Sequence, residues 1–515
     1  MKSSKQIKIG SIVSYVAIVI NIVVGLVYTP WMLNKIGKSE YGLYTLANSL
    51  ITLFLIDFGL SSATARYVSN YHAAKDEKSV NNFLGIIYKF YVIVDIVIFL
   101  ILFVLYFFID RIYINLTSEE LKKFKVVYLI AASFSLVNLP FVTLNGILTA
   151  YEKFIQLKLA DLIYRVLVVG FSVFALLMGW GLYALVAVNA IAGIIVIVYK
   201  LFIIKCTTKI KVNFRAVDKQ LEKSIFVFSF WTMVMSVAGR LIFSVTPSIL
   251  GIVANSTAIA VFGVVVTIEG YTYTITTAIN GMFMPTISRV YYENEEEARV
   301  KLMPLMINVG RFQFSLNGLI FIGFALVGQS FISLWVGADY AVAYYCILLV
   351  IFPGLFFNSL QVANTAMTVR NEVKLQAIVA VVCGVLNVVL SFVLSKFYGV
   401  IGACVSICFA YIVRAILYHI IHDKVMGFNI KQFVVQCYLR MIPTILITFG
   451  FGLLMNNFIA DGGWGRLLLK CMLIVVFYLL SVILLGLSKK ERKFILEKTS
   501  SMFCKRKIKE YKNEN

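Results

Sequence analysis

The chain has 515 residues, of which 61% are hydrophobic and only 14% carry a charged side chain, and its mean hydropathy is +0.90. This composition excludes an ordinary soluble domain, because water cannot be the main solvent of so apolar a chain. The net charge of +22 does not indicate a nucleic-acid partner. No soluble domain accompanies the basic segments, which are expected to lie against anionic membrane lipids.

Apolar stretches of roughly 20 residues predict fourteen transmembrane helices in an all-α polytopic fold. The first is long enough to cross the bilayer, so we expect an uncleaved helix and not a signal peptide. The predicted spans lie near residues 9–32, 43–65, 88–109, 126–150, 159–178, 181–203, 225–250, 257–286, 303–328, 341–368, 375–395, 399–421, 438–459 and 466–487. Between the fifth and sixth spans, Gly179 and Gly181 predict a tight hairpin turn.

A tract in the first half of the chain recurs 217 to 223 positions later. The matching pairs are Pro30 and Pro247, Gly42 and Gly263, Arg66 and Arg289, Thr149 and Thr368, Leu157 and Leu375, and Gly181 and Gly399. Parallel repeats of this kind build two similar bundles with a cavity between them. We therefore predict two pseudo-symmetric six-helix lobes, followed by two helices without counterparts.

The predicted domains are a lobe at 1–204, a basic linker at 205–223, a second lobe at 224–422, helices thirteen and fourteen at 438–487, and a basic tail at 488–515. The stretch Lys200–Lys223 contains seven basic residues and Lys489–Lys512 contains ten. Because basic residues accumulate in cytoplasmic loops, both termini and the linker are predicted to be cytoplasmic.

Motifs for enzymes and metals are missing. Gly37-Lys38-Ser39 resembles the end of a phosphate-binding loop, but Met32 stands where the upstream glycine is required. There is no Asp-x-Asp pair and no CxxC, and the predicted outer loops are short. The sequence predicts a secondary transporter with no catalytic residue, no metal and no cofactor.

Ionisable residues inside spans are costly and need a partner, a wet cavity or a position near the surface. Arg240 and Glu269 are predicted to lie near mid-bilayer, with Asp57 somewhat nearer the cytoplasm. Either Arg240 pairs with one of these acids and pins helices together, or all three line a cavity. Elsewhere, we expect an Asp161–Arg165 ion pair on one helix, and a Lys470 side chain that extends toward the membrane surface.

Two repeat-related pairs also allow a structural and a functional interpretation. Arg66 and Arg289 are predicted to lie at the ends of their helices, at the cytoplasmic boundary. There they either anchor the helices to lipid headgroups or form an inner rim that attracts an anionic substrate. Pro30 and Pro247 are expected to end or bend the first helix of each lobe.

Five sequence segments together resemble the N-terminal region of bacterial polysaccharide-biosynthesis membrane proteins. They are Ile9-Gly10 through Thr29-Pro30, Gly37, Tyr41-Gly42-Leu43-Tyr44, Asp57-Phe58-Gly59-Leu60 and Arg66-Tyr67-Val68-Ser69. The resemblance is to Wzx-type oligosaccharide flippases of the multidrug/oligosaccharidyl-lipid/polysaccharide exporter superfamily. It implies export of undecaprenyl-pyrophosphate-linked oligosaccharide repeat units across the bacterial plasma membrane, by alternating access coupled to H⁺ or Na⁺.

In such a protein, Arg240 and Arg311 are the predicted pyrophosphate ligands, because a multiply negative headgroup needs fixed cations. The predicted sugar contacts are Tyr271, Tyr273 and Asn280, and the predicted coupling residues are Asp57 and Glu269. The resemblance also implies O-antigen or capsule assembly with a polysaccharide polymerase as partner. Related lipid II flippases carry several cavity arginines on helices one, two and eight, whereas span one here has none, which argues against lipid II as substrate.

Two other classes stay open at this stage. One is an ion-coupled multidrug exporter of the same superfamily, and the other is a membrane enzyme or scaffold of cell-envelope polysaccharide assembly. Drug exporters of the superfamily typically have twelve helices, so the two predicted spans within 438–487 favour the flippase. The missing motifs and the short loops disfavour the enzyme.

Overall fold

The computed structural model describes residues 2–54, 59–277, 283–293, 295–370 and 372–487, and every regular element in these ranges is helical. The predicted all-α fold is therefore confirmed. The first half contains α1 (Lys2–Ile36), α2 (Lys38–Phe54), α3 (Leu60–Ala73), α4 (Glu77–Ile112), α5 (Ser118–Asn138), α6 (Thr143–Ala150), α7 (Phe154–Leu177), α8 (Gly181–Thr207), α9 (Lys219–Phe243), α10 (Thr246–Val253) and α11 (Ser256–Thr277).

The remaining helices are α12 (Met284–Glu293), α13 (Glu295–Trp335), α14 (Val342–Ile351), α15 (Gly354–Asn358), α16 (Gln361–Val369), α17 (Val373–Lys424), α18 (Ile430–Phe433), α19 (Arg440–Phe458) and α20 (Gly463–Ser481). Short 3-10 turns occur at Leu139–Val142 and Ala338–Tyr340, and π-helical turns at Val434–Leu439 and Val482–Gly486.

Two compact units divide these helices. The first contains residues 1–278, 345–353 and 367–418, and the second contains 279–344, 354–366 and 419–515. The division into lobes at 1–204 and 224–422 stays a prediction.

Ten helices among the described residues are long and apolar enough to cross a membrane, and the number rises to twelve if each of two bent helix pairs is one span. The predicted count of fourteen stays a prediction. α17 alone covers two predicted spans: its 52 residues are enough for roughly 78 Å of helix, far more than one bilayer crossing needs. Gly399 interrupts it with φ 54° and ψ −131°.

Large apolar side chains cover the outside of the helices. On α4, Ile93, Ile96 and Phe107 are 62%, 55% and 63% exposed, and on α19 and α20 Leu446 and Leu480 are 63% and 53% exposed. A water-soluble protein does not present so continuous an apolar surface. The chain is therefore a multi-pass membrane protein.

Positive-φ glycines form the predicted turn between the fifth and sixth spans. Gly179 has φ 77° and Gly181 has φ 64°, a region where a side chain would be strained. The repeat partner of Gly181 is Gly399, which also has positive φ. Both halves of the chain thus have a positive-φ glycine at corresponding helix junctions, which supports the sequence repeat.

The two repeat-related prolines behave differently. Pro30 lies inside α1, which continues past it to Ile36. Pro247 lies in the first turn of α10, and the stretches Phe230–Phe243 and Thr246–Val253 meet at 41°. The expected bend is present at Pro247, whereas the helix does not end at Pro30. Proline is tolerated in the first turn of a helix because its missing N–H has no partner there.

The basic linker is fastened to the start of α4. Asn213 N donates to Asn81 O at 3.1 Å, and Lys89 Nζ donates to Ala216 O at 2.7 Å. Gly85 allows this contact, since a Cβ there would lie 1.9 Å from Asn213 O. These bonds give the linker a defined path although it has little regular structure.

In the second unit, Lys470 of α20 is buried and binds the loop before its helix. Its side chain is 3% exposed, and its Nζ donates to Asp461 Oδ1 at 2.7 Å. Lys470 therefore extends to the loop at the end of its span, but its ammonium is buried there against Asp461. A buried ammonium needs a partner, and the exposed carboxylate of Asp461 supplies it.

Candidate substrate and coupling site

Arg240 lies at the end of α9, directly before the bend that breaks the seventh span. Ser244 N and Val245 N both donate to Arg240 O, at 3.0 and 3.2 Å, which ends the helix. The side chain is half-buried. In transporters, discontinuous membrane helices mark binding sites because their ends expose backbone groups to the cavity. This position suits the predicted role of Arg240.

Glu269 and Tyr273 are one turn apart on α11 in the same unit. Glu269 is half-buried and Tyr273 is 50% exposed. The carboxyl group of Glu269 lies within electrostatic range of the hydroxyls of both Tyr273 and Tyr411. Next to Tyr411, the half-buried guanidinium of Arg414 lies 5.7 Å from its ring centroid and 5.8 Å from that of Tyr418. An acid, an arginine and several phenols are therefore clustered around α11 and α17.

The pairing considered between Arg240 and Glu269 is not formed. Among the described residues, no cation lies within ion-pair distance of Glu269. The alternative partner Asp57 lies outside the described residues, as does the predicted sugar contact Asn280. The roles of Asp57, Glu269 and Asn280 stay predictions.

Arg165 is a second cationic position that its sequence context conceals, because its spacing from Asp161 predicts a local ion pair. That pair is not formed: Asp161 Oδ2 instead lies 3.5 Å from Lys158 Nζ. Arg165 lies 11 residues into α7, roughly 17 Å along its axis, so it is deep in the span. The distance of Arg165 from the ends of its span is the sequence signal that indicates a position in a cavity.

The side chains of Arg165 and Tyr271 both lie against Gly25 of α1. A Cβ at Gly25 would lie 1.9 Å from Tyr271 Oη and 3.1 Å from Arg165 Nη2. The missing side chain of Gly25 therefore makes room for a guanidinium and a phenol that come from two other helices. Tyr271 was predicted as a sugar contact, and the structure gives it a cationic neighbour.

The N-terminal helices also enclose a polar cavity of about 460 Å³ that the sequence did not reveal. Lys200 Nζ donates to Asn145 Oδ1 at 2.9 Å across it. Asn189 Nδ2 donates to Tyr44 Oη at 3.2 Å, and Tyr164 Oη to Asn189 Oδ1 at 3.4 Å. The sequence signal for this cavity is the presence of single polar residues in apolar spans, because each of them needs a polar partner inside the membrane.

The remaining predicted residues lie elsewhere. Arg311 belongs to the second unit, is 8% exposed, and lines a separate groove of about 440 Å³. The rim candidates Arg66 on α3 and Arg289 on α12 are both exposed. In the part of the chain that the structure describes, no group of three His, Cys, Asp or Glu side chains could hold a metal ion.

A family model described as "Polysaccharide biosynthesis protein" matches residues 7–292, more than half of the chain. The chain belongs to this family. No curated protein sequence matches it. The predicted relation to bacterial polysaccharide-biosynthesis membrane proteins is therefore confirmed.

Several solved structures have a fold similar to that of this chain. Lipid II flippase MurJ, in an inward closed conformation, matches with a TM-score of 0.71 at 15% identity, over 92% of this chain and 98% of that one. An inward-facing multidrug resistance MATE family transporter of the MOP superfamily has a TM-score of 0.65 at 13% identity, over 82% and 99%. A Vibrio cholerae MATE transporter has 0.58 at 12%, over 84% and 99%. These similar folds belong to transporters and flippases, not to enzymes.

Proposed function

We propose that this protein exports undecaprenyl-pyrophosphate-linked oligosaccharide repeat units across the bacterial plasma membrane by alternating access. The observation that carries the proposal is the set of three half-buried arginines, Arg165, Arg240 and Arg414, on three helices of the first unit. Burying a cation in a membrane is costly, so an array of them is retained for an anionic ligand or a structural partner. Family membership favours the anionic ligand.

The pyrophosphate is the group that needs these cations. Arg240 at the broken helix and Arg165 beside Tyr271 offer planar, charged donors to its oxygens. Tyr271 and Tyr273 contribute hydroxyls and ring faces for the sugar. Arg311 as a further pyrophosphate ligand stays a prediction, since it lines a groove of the second unit.

Coupling to H⁺ or Na⁺ is assigned to Glu269 and Asp57. A carboxylate that lacks an ion-pair partner among the described residues, as Glu269 does, is free to exchange a proton or a sodium ion. If Glu269→Gln and Asp57→Asn both retain gradient-dependent export in proteoliposomes, neither residue is the coupling site.

The proposed direction requires cytoplasmic termini and a cytoplasmic 205–223 linker. The exported repeat unit then reaches the outer face, where a polymerase of O-antigen or capsule assembly consumes it. Cysteine labelling at position 215 tests the orientation. If position 215 is labelled from outside intact cells, the topology is the opposite of the predicted one and the proposed direction of transport is wrong.

The test of substrate is Arg240→Ala, compared with Arg215→Ala, which removes an exposed charge from the linker. Arg240→Ala is expected to abolish surface polysaccharide at normal protein abundance, and Arg240→Lys to restore part of it, because a point charge replaces a two-pronged donor. Loss of the protein from the membrane would instead assign Arg240 a purely structural role.

A multidrug exporter is the second candidate, favoured by the polar cavity around Asn189 and by the fold it shares with MATE transporters. Proteoliposomes distinguish the two. Transport of a cationic dye that the lipid-linked oligosaccharide does not inhibit would support the drug exporter.

A further inference from the structure

A groove in the second unit contains none of the three arginines on which the proposed function rests. One wall is α13, and the other is the segment from Gly427 to Gln436. Its polar lining consists of Arg299, Asn308, Arg311, Asn429, Gln432 and Gln436, and its apolar lining of Val300, Met303, Pro304 and Ile307. The lining contains two guanidinium groups, four amides and no carboxylate, which is the chemistry of an anion site.

The two arginines mark the ends of the groove. They are twelve residues apart on α13, which corresponds to about 18 Å along the helix axis. Arg299 is exposed at the mouth, and Arg311 is 8% exposed at the floor. Between them, Met303 and Ile307 make the wall apolar. The groove thus has a cationic group at each end and an apolar wall between them.

Gly427 determines the position of Arg299 at the mouth of the groove. Gly427 has φ 68°, and a Cβ there would lie 2.9 Å from Arg299 Nη1 and 3.1 Å from Arg299 Cδ. The guanidinium therefore lies across the backbone of the turn that joins α17 to α18. This contact holds Arg299 beside Asn429 and Gln432 instead of leaving it to extend away from the protein.

The floor is built around the π-helical turn Val434–Leu439. Tyr438 Oη lies 2.8 Å from Ser359 Oγ and 3.1 Å from His419 Nε2, which fixes the turn to two other segments of the unit. Close by, Gly310 allows Phe433 to approach α13, since a Cβ there would lie 2.7 Å from the Phe433 ring. π-turns inside α-helices frequently occur at functional sites.

The outer side of the second wall is covered with apolar groups. Val435 and Leu439 are 49% and 54% exposed, and Ile442 and Leu446 continue the exposed track at helical spacing with 38% and 63%. Gln436 is exposed among them. An amide next to hydrocarbon requires a polar partner, because no water is available there.

We propose that this groove binds the phosphate headgroup of an anionic membrane phospholipid, with its acyl chains along the exposed track from Val435 to Leu446. Arg299 binds the phosphate as a charged two-pronged donor, and the amides of Asn429 and Gln432 bind the remaining headgroup oxygens. Pro304 has no N–H to bond Val300 O, so this backbone acceptor can take a hydrogen bond from a headgroup hydroxyl. Free phosphate would use the arginine but would leave the apolar track uncovered.

Binding is tested with the purified full chain in a neutral detergent, by native mass spectrometry and thermal shift. The probes are phosphatidylglycerol, phosphatidylcholine with the same acyl chains, inorganic phosphate and undecaprenyl pyrophosphate. We expect phosphatidylglycerol to bind at least about tenfold more tightly than phosphatidylcholine, which corresponds to one charge-assisted contact. Inorganic phosphate is expected not to stabilise the protein.

Variants locate the site. Arg299→Gln should remove the preference for phosphatidylglycerol, and Arg299→Lys should keep part of it. The matched control is Lys301→Gln on the same helix, whose side chain pairs with Glu297 at 2.8 Å and does not line the groove. Gln436→Leu is a second groove variant that keeps all charges, and it should weaken phosphatidylglycerol binding several-fold without affecting phosphatidylcholine.

Four results would overturn the proposal. They are equal binding of both phospholipids, an unchanged preference in Arg299→Gln, an equal loss in Lys301→Gln, and stabilisation by inorganic phosphate alone. Displacement of phosphatidylglycerol by a much lower concentration of undecaprenyl pyrophosphate would also overturn it, because the groove would then be a substrate site. None of these measurements uses transport, so they are independent of the proposed function.

Discussion

Gly42 of α2 and Gly263 of α11 occupy corresponding positions of the sequence repeat and lie where the same two helices cross. A Cβ at Gly42 would lie 2.1 Å from Ser256 O, and a Cβ at Gly263 would lie 2.6 Å from Thr45 Oγ1. Each repeat therefore contributes one glycine, and the absence of its side chain lets the helix of the other repeat pack closely against it. Close helix contact through small residues is how membrane helices associate in the absence of a hydrophobic driving force.

Gly42→Ala is predicted to destabilise the protein by about 1–3 kcal/mol, because a rigid backbone carbonyl opposes the new methyl group. Gly263→Ala should cost less, since it meets the side chain of Thr45 first. Thermal unfolding in detergent measures both. The control is Gly170→Ala on α7, where a Cβ would meet nothing within 4 Å. A Gly42→Ala protein as stable as this control would contradict the packing at the crossing.

Glu120 fastens the starts of the same two helices to α5. Its Oε1 accepts hydrogen bonds from Ser39 Oγ and Ser256 Oγ, both at 2.5 Å, and its Oε2 accepts from Thr117 N at 2.9 Å. Glu120→Ala removes all three bonds, so the free energy of unfolding should fall by about 2–4 kcal/mol.

The matched control for Glu120→Ala is the neighbouring acid. Glu119 is 79% exposed and pairs only with Lys123 among the described residues, so Glu119→Ala should change stability by less than about 1 kcal/mol. Amide hydrogen exchange at the starts of α2 and α11 should be faster in Glu120→Ala and unchanged in Glu119→Ala. Equal exchange in the two variants would show that Glu120 does not hold these helix ends together.

Gly25→Ala is predicted to impair export while the protein still folds, because the new methyl group displaces the mobile end of Tyr271 away from Arg165. Tyr271→Phe removes the hydroxyl that the methyl group meets. The double variant should therefore regain part of the stability lost in Gly25→Ala, and a double-mutant cycle on thermal unfolding measures that coupling. Strict additivity of the two substitutions would contradict the contact.

Stability should fall at acid pH through Asp461. Its hydrogen bonds with Lys470 and Ser330 hold the pKa of Asp461 below its ordinary value. A lowered pKa in the folded state contributes stability above the ordinary pKa of an aspartate, near about 4, and that contribution is lost as the pH falls through the folded-state value.

Asp461→Asn removes this dependence and leaves the buried ammonium of Lys470 with a neutral partner. Its melting temperature should be lower than that of the wild type at pH 7, and the difference should shrink toward pH 3. A constant difference over this range would show that the charge of Asp461 does not matter.

Local pattern was sufficient for the all-α membrane fold and for several of its junctions. Hydrophobic length decides which stretches can cross a bilayer, and a positive-φ turn requires a glycine whatever surrounds it. The turn at Gly181, its counterpart at Gly399 and the bend at Pro247 could therefore be predicted from single residues and their neighbours. Five short sequence segments likewise led to the family.

Partners of buried polar groups were decided only by the tertiary structure. Asp161 and Arg165 have the spacing of a local ion pair, yet Asp161 pairs with Lys158 and Arg165 meets Tyr271, which is more than a hundred residues away in sequence. Glu120 is likewise explained by Ser39 and Ser256 on two distant helices. Inside a membrane, an ionisable group pairs with the polar group that helix packing brings nearest to it. The separation of two residues along the sequence does not determine which groups those are.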